Sequence, residues 1–358
     1  MNPSYQRVMA ACAFQPPDRI PRYDKFWEYP ETWARRFGPA DELTDVWILP
    51  PNETAFPSRA RHLRDEGDDS FDVESWGRTI RSHRDAYFTE TLTVPIPDGA
   101  DPDDVEFDPP TADHRFLLGY EDAGTAAREL ARLKARYCVF VKTGGPYLRT
   151  TFVRGEEQFL RDIAGEPELA RALADKVGEH ISAVGVEALR RWDLRDTGVW
   201  IYDDMAHNGG PMFSPASFEK VFLPAYRRMI AAYKAAGARC VFLHSDGDIR
   251  PILDMLIDAG IEGLNPLERR AGMDPVRLRS KYPRLILTGG MCNSDTLING
   301  PLEKIRAEAR ELIDLGRDGG VIIGTHSISP EVPMEHFAAY DETCRTYGNF
   351  AQGIRIEG

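Results

Sequence analysis

Residues Cys240–Asn265 read CVFLHSDGDIRPILDMLIDAGIEGLN. CVFLH is a short apolar run of strand character, and it stops on His244, with Asp246 and Asp248 close behind. IRPILDMLIDAG then carries its apolar residues at helical spacing, and IEGLN (261–265) is a second short apolar run. Strand, helix and strand in immediate succession form the βαβ unit of a parallel sheet.

The same rhythm extends in both directions. A helical stretch over 122–136 precedes the strand CVFVK (138–142). Two helices are predicted within 155–192, the second opening at Pro167. The strand GVWIY (198–202) leads to a helix starting near Ser214-Pro215. Past Asn265 come a helix near DPVRLRSKY, the strand RLILTGG (284–290), a helix over 301–315, the strand GVIIGT (320–325) and a helix near PMEHFAAYDETC. Six strand–helix units point to a parallel sheet with right-handed crossovers. With Ile20–Trp27 as a further strand and one more not placed, they close a (β/α)8 TIM barrel. A doubly wound sheet is the alternative, but its glycine-rich first turn, GxGxxG, is absent.

The N-terminal part, about 1–120, reads as an extension of one domain spanning 1–358. It opens with a short helix over 1–15, then Ile20–Trp27 and a helix through TWARRFG. WGRTIRSHRDAYFTETLTVP (76–95) has the alternation of a β-hairpin. RDEGDD (64–69) reads as a solvated loop, and the Pro- and Asp-rich 95–113 as a surface connection.

Composition narrows the function classes. The 358 residues carry a net charge of −13, which disfavours nucleic acid or an anionic membrane as main partner. No run of about 18 apolar residues occurs, so no membrane span is expected. The N-terminus has no signal-peptide pattern. The five cysteines are scattered without a CxxC, as in reduced thiols of a cytoplasmic protein.

In a barrel of this kind the chemistry gathers at the strand exits. These hold Asp24, Trp27 and Glu28; Lys142; Asp203, Asp204, His207 and Asn208; His244, Asp246 and Asp248; Asn265; Cys292; and His326. His244 and Asp246 fall on one side of an extended strand end, a geometry that suits two ligands of one cation. Alternatively Asp246 caps the next helix and His244 bonds a carbonyl. Cys292, in GGMCN, is a third ligand or a structural thiol. His326, in THSISP, is a ligand, a general acid, or a donor orienting another ligand. Asp203 and Asp204 are neighbours on a strand, so one faces inward and one is structural. Lys142 is a substrate-binding cation or half of a buried ion pair.

Longer stretches carry a family resemblance. These are GGPYLRTTFVRGEEQFLRDIAGEPELARAL (144–173), IYDDMAHNGGPMFSPASFEKVFLPAYRRM (201–229), FLHSDGDIRPILDMLIDAGIEGLNPLE (242–268), LTGGMCNSDTLINGPLEKI (287–305) and HFAAYDETCRTYG (336–348). Together they resemble the uroporphyrinogen decarboxylase superfamily over about residues 138–348. The opening DRIPRYDKFWEYPETW does not resemble the arginine-bearing motif of the porphyrinogen decarboxylases. The other branch, the cobamide-dependent methyltransferases, is the closer one. That branch holds zinc with a His-x-Cys at a strand end and a later Cys. Here His244 and Asp246 stand at the first position, His326 lies in the region of the later Cys, and Cys292 is offered by a neighbouring strand. A harder ligand set suits an ether oxygen better than a thiol.

The resemblance therefore implies a methyltransferase, moving a methyl group from a small methylated donor, such as an aryl methyl ether, to a corrinoid carried by a separate protein. Zinc would be held by His244 and Cys292 with Asp246 or His326. Asp203, Glu28 and His207 form the expected catalytic set. Asp24, Lys142 and Asn208 would bind substrate, with Phe26, Trp27 and Tyr29 covering its ring. A homodimer is compatible with this reading. A metal-free decarboxylase of a small acid or tetrapyrrole, and a non-enzymatic carrier or sensor, are the alternatives.

Overall fold

The computed structural model describes residues 2–26, 28–86, 88–325 and 327–350, so Trp27 and His326 lie outside the described residues. Its strands are β1 (Val46–Leu49), β2 (Arg61–Glu66), β3 (Asp69–Val73), β4 (Thr79–His83), β5 (Glu90–Thr93), β6 (Cys138–Gly144), β7 (Gly198–Tyr202), β8 (Ala206–His207), β9 (Gly210–Pro211), β10 (Cys240–His244), β11 (Gly263–Asn265), β12 (Ile286–Gly290) and β13 (Val321–Gly324). Seven of them form one curled sheet in the order β1-β6-β7-β10-β11-β12-β13, every pair parallel.

The eighth position is filled by residues 21–25. Tyr23 donates to the Ile323 carbonyl (2.8 Å), Ile323 donates back to Pro21 (2.9 Å), and Lys25 donates to Thr325 (3.1 Å). On the other flank the Asp45 amide donates to the Arg22 carbonyl (2.8 Å), and the Asp45 carbonyl accepts from the Cys138 amide (2.9 Å). The ring is thus a (β/α)8 TIM barrel whose first strand pairs only through isolated parallel bridges. The strand left unplaced by sequence is β1, just four residues running into Pro50-Pro51, too short to give a periodic signal.

Alternation decides what faces inward. Val46 and Ile48, Cys138 and Phe140, Trp200, Cys240 and Phe242, Ile286 and Ile322 fill the barrel interior, with Val8 and Met9 of the first helix (Pro3–Cys12) against its lower end. The residues between them, such as Val139, Val199, Val241 and Leu243, pack outward under the helices. Trp200 and Phe242 stack at 4.7 Å, and Tyr23 meets Trp200 edge-on at 5.0 Å. These rings close the middle of the barrel and form the floor of its mouth.

Two expectations change. The hairpin over 76–95 is real as β4 and β5, but it belongs to a four-stranded antiparallel sheet, β2-β3-β4-β5. RDEGDD, expected as a loop, is the β2–β3 hairpin. Every β2 residue is exposed, so charge appears on both faces and the strand shows no alternation. The two helices expected within 155–192 are present as Glu156–Gly165 and Pro167–Arg191, and a further helix, Pro146–Arg154, precedes them. Its Thr150, Thr151 and Val153 argue against a helix by propensity. The two threonine hydroxyls donate back to the Pro146 and Leu148 carbonyls, and burial decides the outcome.

Candidate metal and substrate site

At the mouth, inward parity continues past the ring layer to Lys142 on β6, Tyr202 on β7, His244 on β10 and Asn265 on β11. His244 Nδ1 lies 2.6 Å from Asn265 Oδ1. The Asn265 amide nitrogen donates to the Thr288 carbonyl (3.3 Å), which turns its oxygen toward the imidazole. His244 therefore donates through Nδ1 and presents the Nε2 lone pair to the mouth. Two carboxylates stand near it there. Asp204 Oδ1 and Asp246 Oδ1 each lie 3.8 Å from Nε2. Ligand atoms of Asp204, His244 and Asp246 all lie within 4.8 Å of one another, and among the described residues this is the group able to hold a metal.

The electrostatics suit a cation. Burial, then repulsion by Asp204 and Glu268, pushes Asp246 up to about 7. The Asp246 amide donates to Asp204 Oδ1 (3.2 Å), which fixes the two acids relative to each other. An imidazole nitrogen with two carboxylate oxygens is a donor set that zinc accepts, with further positions open to substrate. His244 and Asp246 line a cavity with a volume of about 260 Å³, which Tyr23, Lys25, Tyr202, Asn265 and Ser327 complete.

Of the residues expected in the site, His244 and Asp246 come together here. Cys292 does not join them. Gly289 and Gly290 have φ of +98° and +84°, which ends the extended alternation before the thiol is reached. The Cys292 amide donates to Glu308 Oε1 (2.7 Å) and its Sγ lies 3.8 Å from Ser294 Oγ.

Asp203 is also elsewhere, fully buried behind the wall. It accepts from the Leu148 amide (2.6 Å), the Tyr147 amide (3.1 Å) and the Tyr226 hydroxyl (2.7 Å), holding the start of the helix Pro146–Arg154. Burial still raises its pKa, to about 6. Gly145 is required opposite it, since a Cβ there would lie 2.3 Å from the Asp203 carboxyl carbon. The geometry gives Asp203 a structural place and its neighbour Asp204 the inward one. Parity was the missed signal: Trp200, Tyr202 and Asp204 share a face, whereas Asp203 follows Val199 and Ile201 outward.

The remaining expected residues scatter. Asp24 is buried, accepting from Arg22 Nε (2.9 Å) and the Tyr340 hydroxyl (3.0 Å). Phe26 and Tyr29 pack together at 4.8 Å, and Phe26 meets Phe337 at 5.5 Å, in an aromatic cluster away from the cavity lining. The Tyr29 hydroxyl donates to the Gly38 carbonyl. Glu28 is exposed. His207 and Asn208 are exposed at the β8–β9 turn, where His207 Nδ1 accepts from the Gly209 amide. Lys142 does reach the mouth, over the Tyr202 ring at 4.2 Å.

The parallel barrel agrees with the family comparison. The uroporphyrinogen decarboxylase (URO-D) family model matches residues 91–347, and the chain belongs to that family. Within it, the chain is similar to two sequences of the methylcobamide:CoM methyltransferase MtaA. One is from Methanosarcina barkeri (strain Fusaro / DSM 804) and one from Methanosarcina barkeri, each 28% identical over 128 residues. The match spans 36% of this chain and 36% of each relative. A solved structure of a methyltransferase from Methanosarcina mazei shares the fold, with a TM-score of 0.66 and 19% identity over 97% of this chain and 99% of that one. No helix among the described residues is long and apolar enough to cross a membrane.

Proposed function

We propose that the protein is a zinc-dependent methyltransferase that takes a methyl group from a small methylated donor, an aryl methyl ether being the best-suited class, and delivers it to a corrinoid held by a partner protein. The carrying observation is the convergence of His244, Asp204 and Asp246 on one point above the ring floor. When bound there, zinc supplies Lewis acidity toward the heteroatom that carries the methyl group. The chain's own residues do the rest. Asn265 fixes the imidazole tautomer. Tyr202 stacks on the His244 ring at 4.2 Å and holds its plane. Trp200 and Phe242 seal the floor against water from below. The O–CH3 bond would break with its electron pair left on oxygen while the partner's reduced corrinoid supplies the pair for the new bond to carbon, and the open mouth gives that partner access to the methyl group.

The cavity volume bears on the alternative. At about 260 Å³ it suits a single-ring molecule and is small for a tetrapyrrole. The relatives from Methanosarcina barkeri, named methylcobamide:CoM methyltransferases, support methyl transfer with a cobamide as one party, although their named transfer starts from the methylcobamide whereas the one proposed here ends on the corrinoid.

Elemental analysis tests the proposal first. Purified protein should hold one zinc per chain, and His244→Ala should lose it. Demethylated product, followed by chromatography with a reduced corrinoid protein present, should vanish with the metal. Zinc-free protein that turns over at the full rate sinks the reading.

A further inference from the structure

Two ammonium groups share the mouth with the acidic cluster. Lys25 lines the same cavity as His244 and Asp246. Lys142 sits over the Tyr202 ring, which stacks in turn on His244. β6, β7 and β10 are adjacent, so Lys142, Tyr202 and His244 stand side by side across the mouth. The site is thus bipolar: carboxylates and imidazole at one end, ammonium groups at the other.

Neither lysine has an ion-pair partner among the described residues. The acid nearest in charge to Lys142 along the wall, Glu53, is already committed. It accepts from Arg149 Nε (2.7 Å) and from the Gly144 amide (2.6 Å). Burial, then repulsion from Lys25, lowers the Lys142 pKa. Lys142 is half-buried without a counter-ion, which is unfavourable, and the exposed Lys25 on the cavity wall adds a second positive charge near it. A bound anion removes that cost.

Resting on the methyltransferase reading above, we propose that Lys25 and Lys142 form an anion subsite and that the methyl donor carries a carboxylate. Its carboxylate lies at the lysine end, and its methylated oxygen lies toward His244, Asp204 and Asp246. A single-ring donor such as a methoxybenzoate suits the cavity's volume of about 260 Å³. Such a donor meets a positive charge with its anion and leaves its neutral ether for the acidic end.

Titration calorimetry on zinc-loaded protein tests this, with 4-methoxybenzoate, methoxybenzene and benzoate as probes. 4-Methoxybenzoate should bind at least ~10-fold more tightly than methoxybenzene, the scale of one charge-assisted contact. Lys142→Met and Lys25→Met should each shrink that preference while zinc content stays unchanged and the melting temperature does not fall, and Lys142→Arg should keep it. Equal binding of the two ethers, or a preference that survives both methionine variants, overturns the subsite. The metal reading fails separately. If no zinc is retained yet benzoate binds in a Lys142-dependent way, the anion subsite stands and the metal does not. One zinc per chain with no carboxylate preference removes the subsite and leaves the metal in place.

Discussion

At the seam that closes the barrel, Asp45 is 1% exposed and accepts from the Ser4 hydroxyl, Arg7, Arg19 and the Arg22 amide. Nearby the roles reverse, and Asp24 and Asp341 both pair with the buried Arg22. At the mouth, Asp204 and Asp246 have side chains 44% and 42% exposed and confront an imidazole, each other and Glu268. One residue type therefore serves two ends. Where arginines surround an aspartate, its charge is answered within the fold and the carboxylate is structural. Where acids face acids around an imidazole, burial and mutual repulsion disfavour the charge, and a bound cation would relieve it. The first arrangement stabilises the apo chain and the second does not.

Substitutions should expose that contrast, the largest effect falling at the seam. Asp45→Ala leaves Arg7 and Arg19 without their shared acceptor in a buried position. Urea unfolding should show a loss of about 3–5 kcal/mol, the usual consequence of removing one partner from a buried ion pair. A loss below about 1 kcal/mol would mean that the network contributes little to closure. Asp246→Asn should behave in the opposite way. The metal-free protein should be as stable as wild type or more so, because the lost charge was disfavoured by its surroundings. Zinc retention, measured by competition with a chelator, should nonetheless fall by more than the ~10–100-fold that loss of an outer partner costs. If Asp246→Asn binds zinc like wild type, the acid is not a ligand.

Asn265→Leu sharpens the same contrast at smaller scale. It leaves all three ligand side chains in place and removes only the acceptor that sets the His244 tautomer. Zinc affinity should drop by ~10–100-fold. An unchanged affinity would show that the tautomer needs no support from Asn265.

The sequence carried the repetitive parts of the fold and lost the solitary ones. GVWIY and CVFLH are strands at the residues expected, since each is a full apolar run between turn signals. β1 was invisible because four residues hold too little periodicity, and the closing segment at 21–25 is recognisable only from its bonds to Ile323 and Asp45. In the candidate site, the proximity of His244 and Asp246 was legible from one strand end. Asp204 was legible too, had the inward face of β7 been followed two residues past Tyr202. The position of Cys292 was not, because two left-handed glycines undo the alternation on which such reasoning depends. Asp24, Phe26 and Tyr29 follow the first strand as a site residue would, yet Tyr340 and Phe337, which hold Asp24 and Phe26, come from a helix more than 300 residues away in sequence. No local pattern reports such a contact.

The smallest effect concerns pH, and it has opposite signs with and without metal. Asp246 is raised to about 7, well above an unfolded carboxyl near 4. In the metal-free protein the native state therefore holds more protons than the unfolded state between about pH 4 and 7. Through this group, native stability should rise as pH falls across that window. Zinc binding requires the carboxylate, so below about pH 7 each ion must displace a proton, and affinity should fall by up to ~tenfold per pH unit. Melting curves of metal-free and zinc-loaded protein should accordingly converge as the solution is acidified from about pH 7 to about pH 5. In Asp246→Asn the metal-free curve should lose this part of its pH dependence. Parallel curves, with a constant gap at every pH, would show that Asp246 does not exchange its proton for the metal.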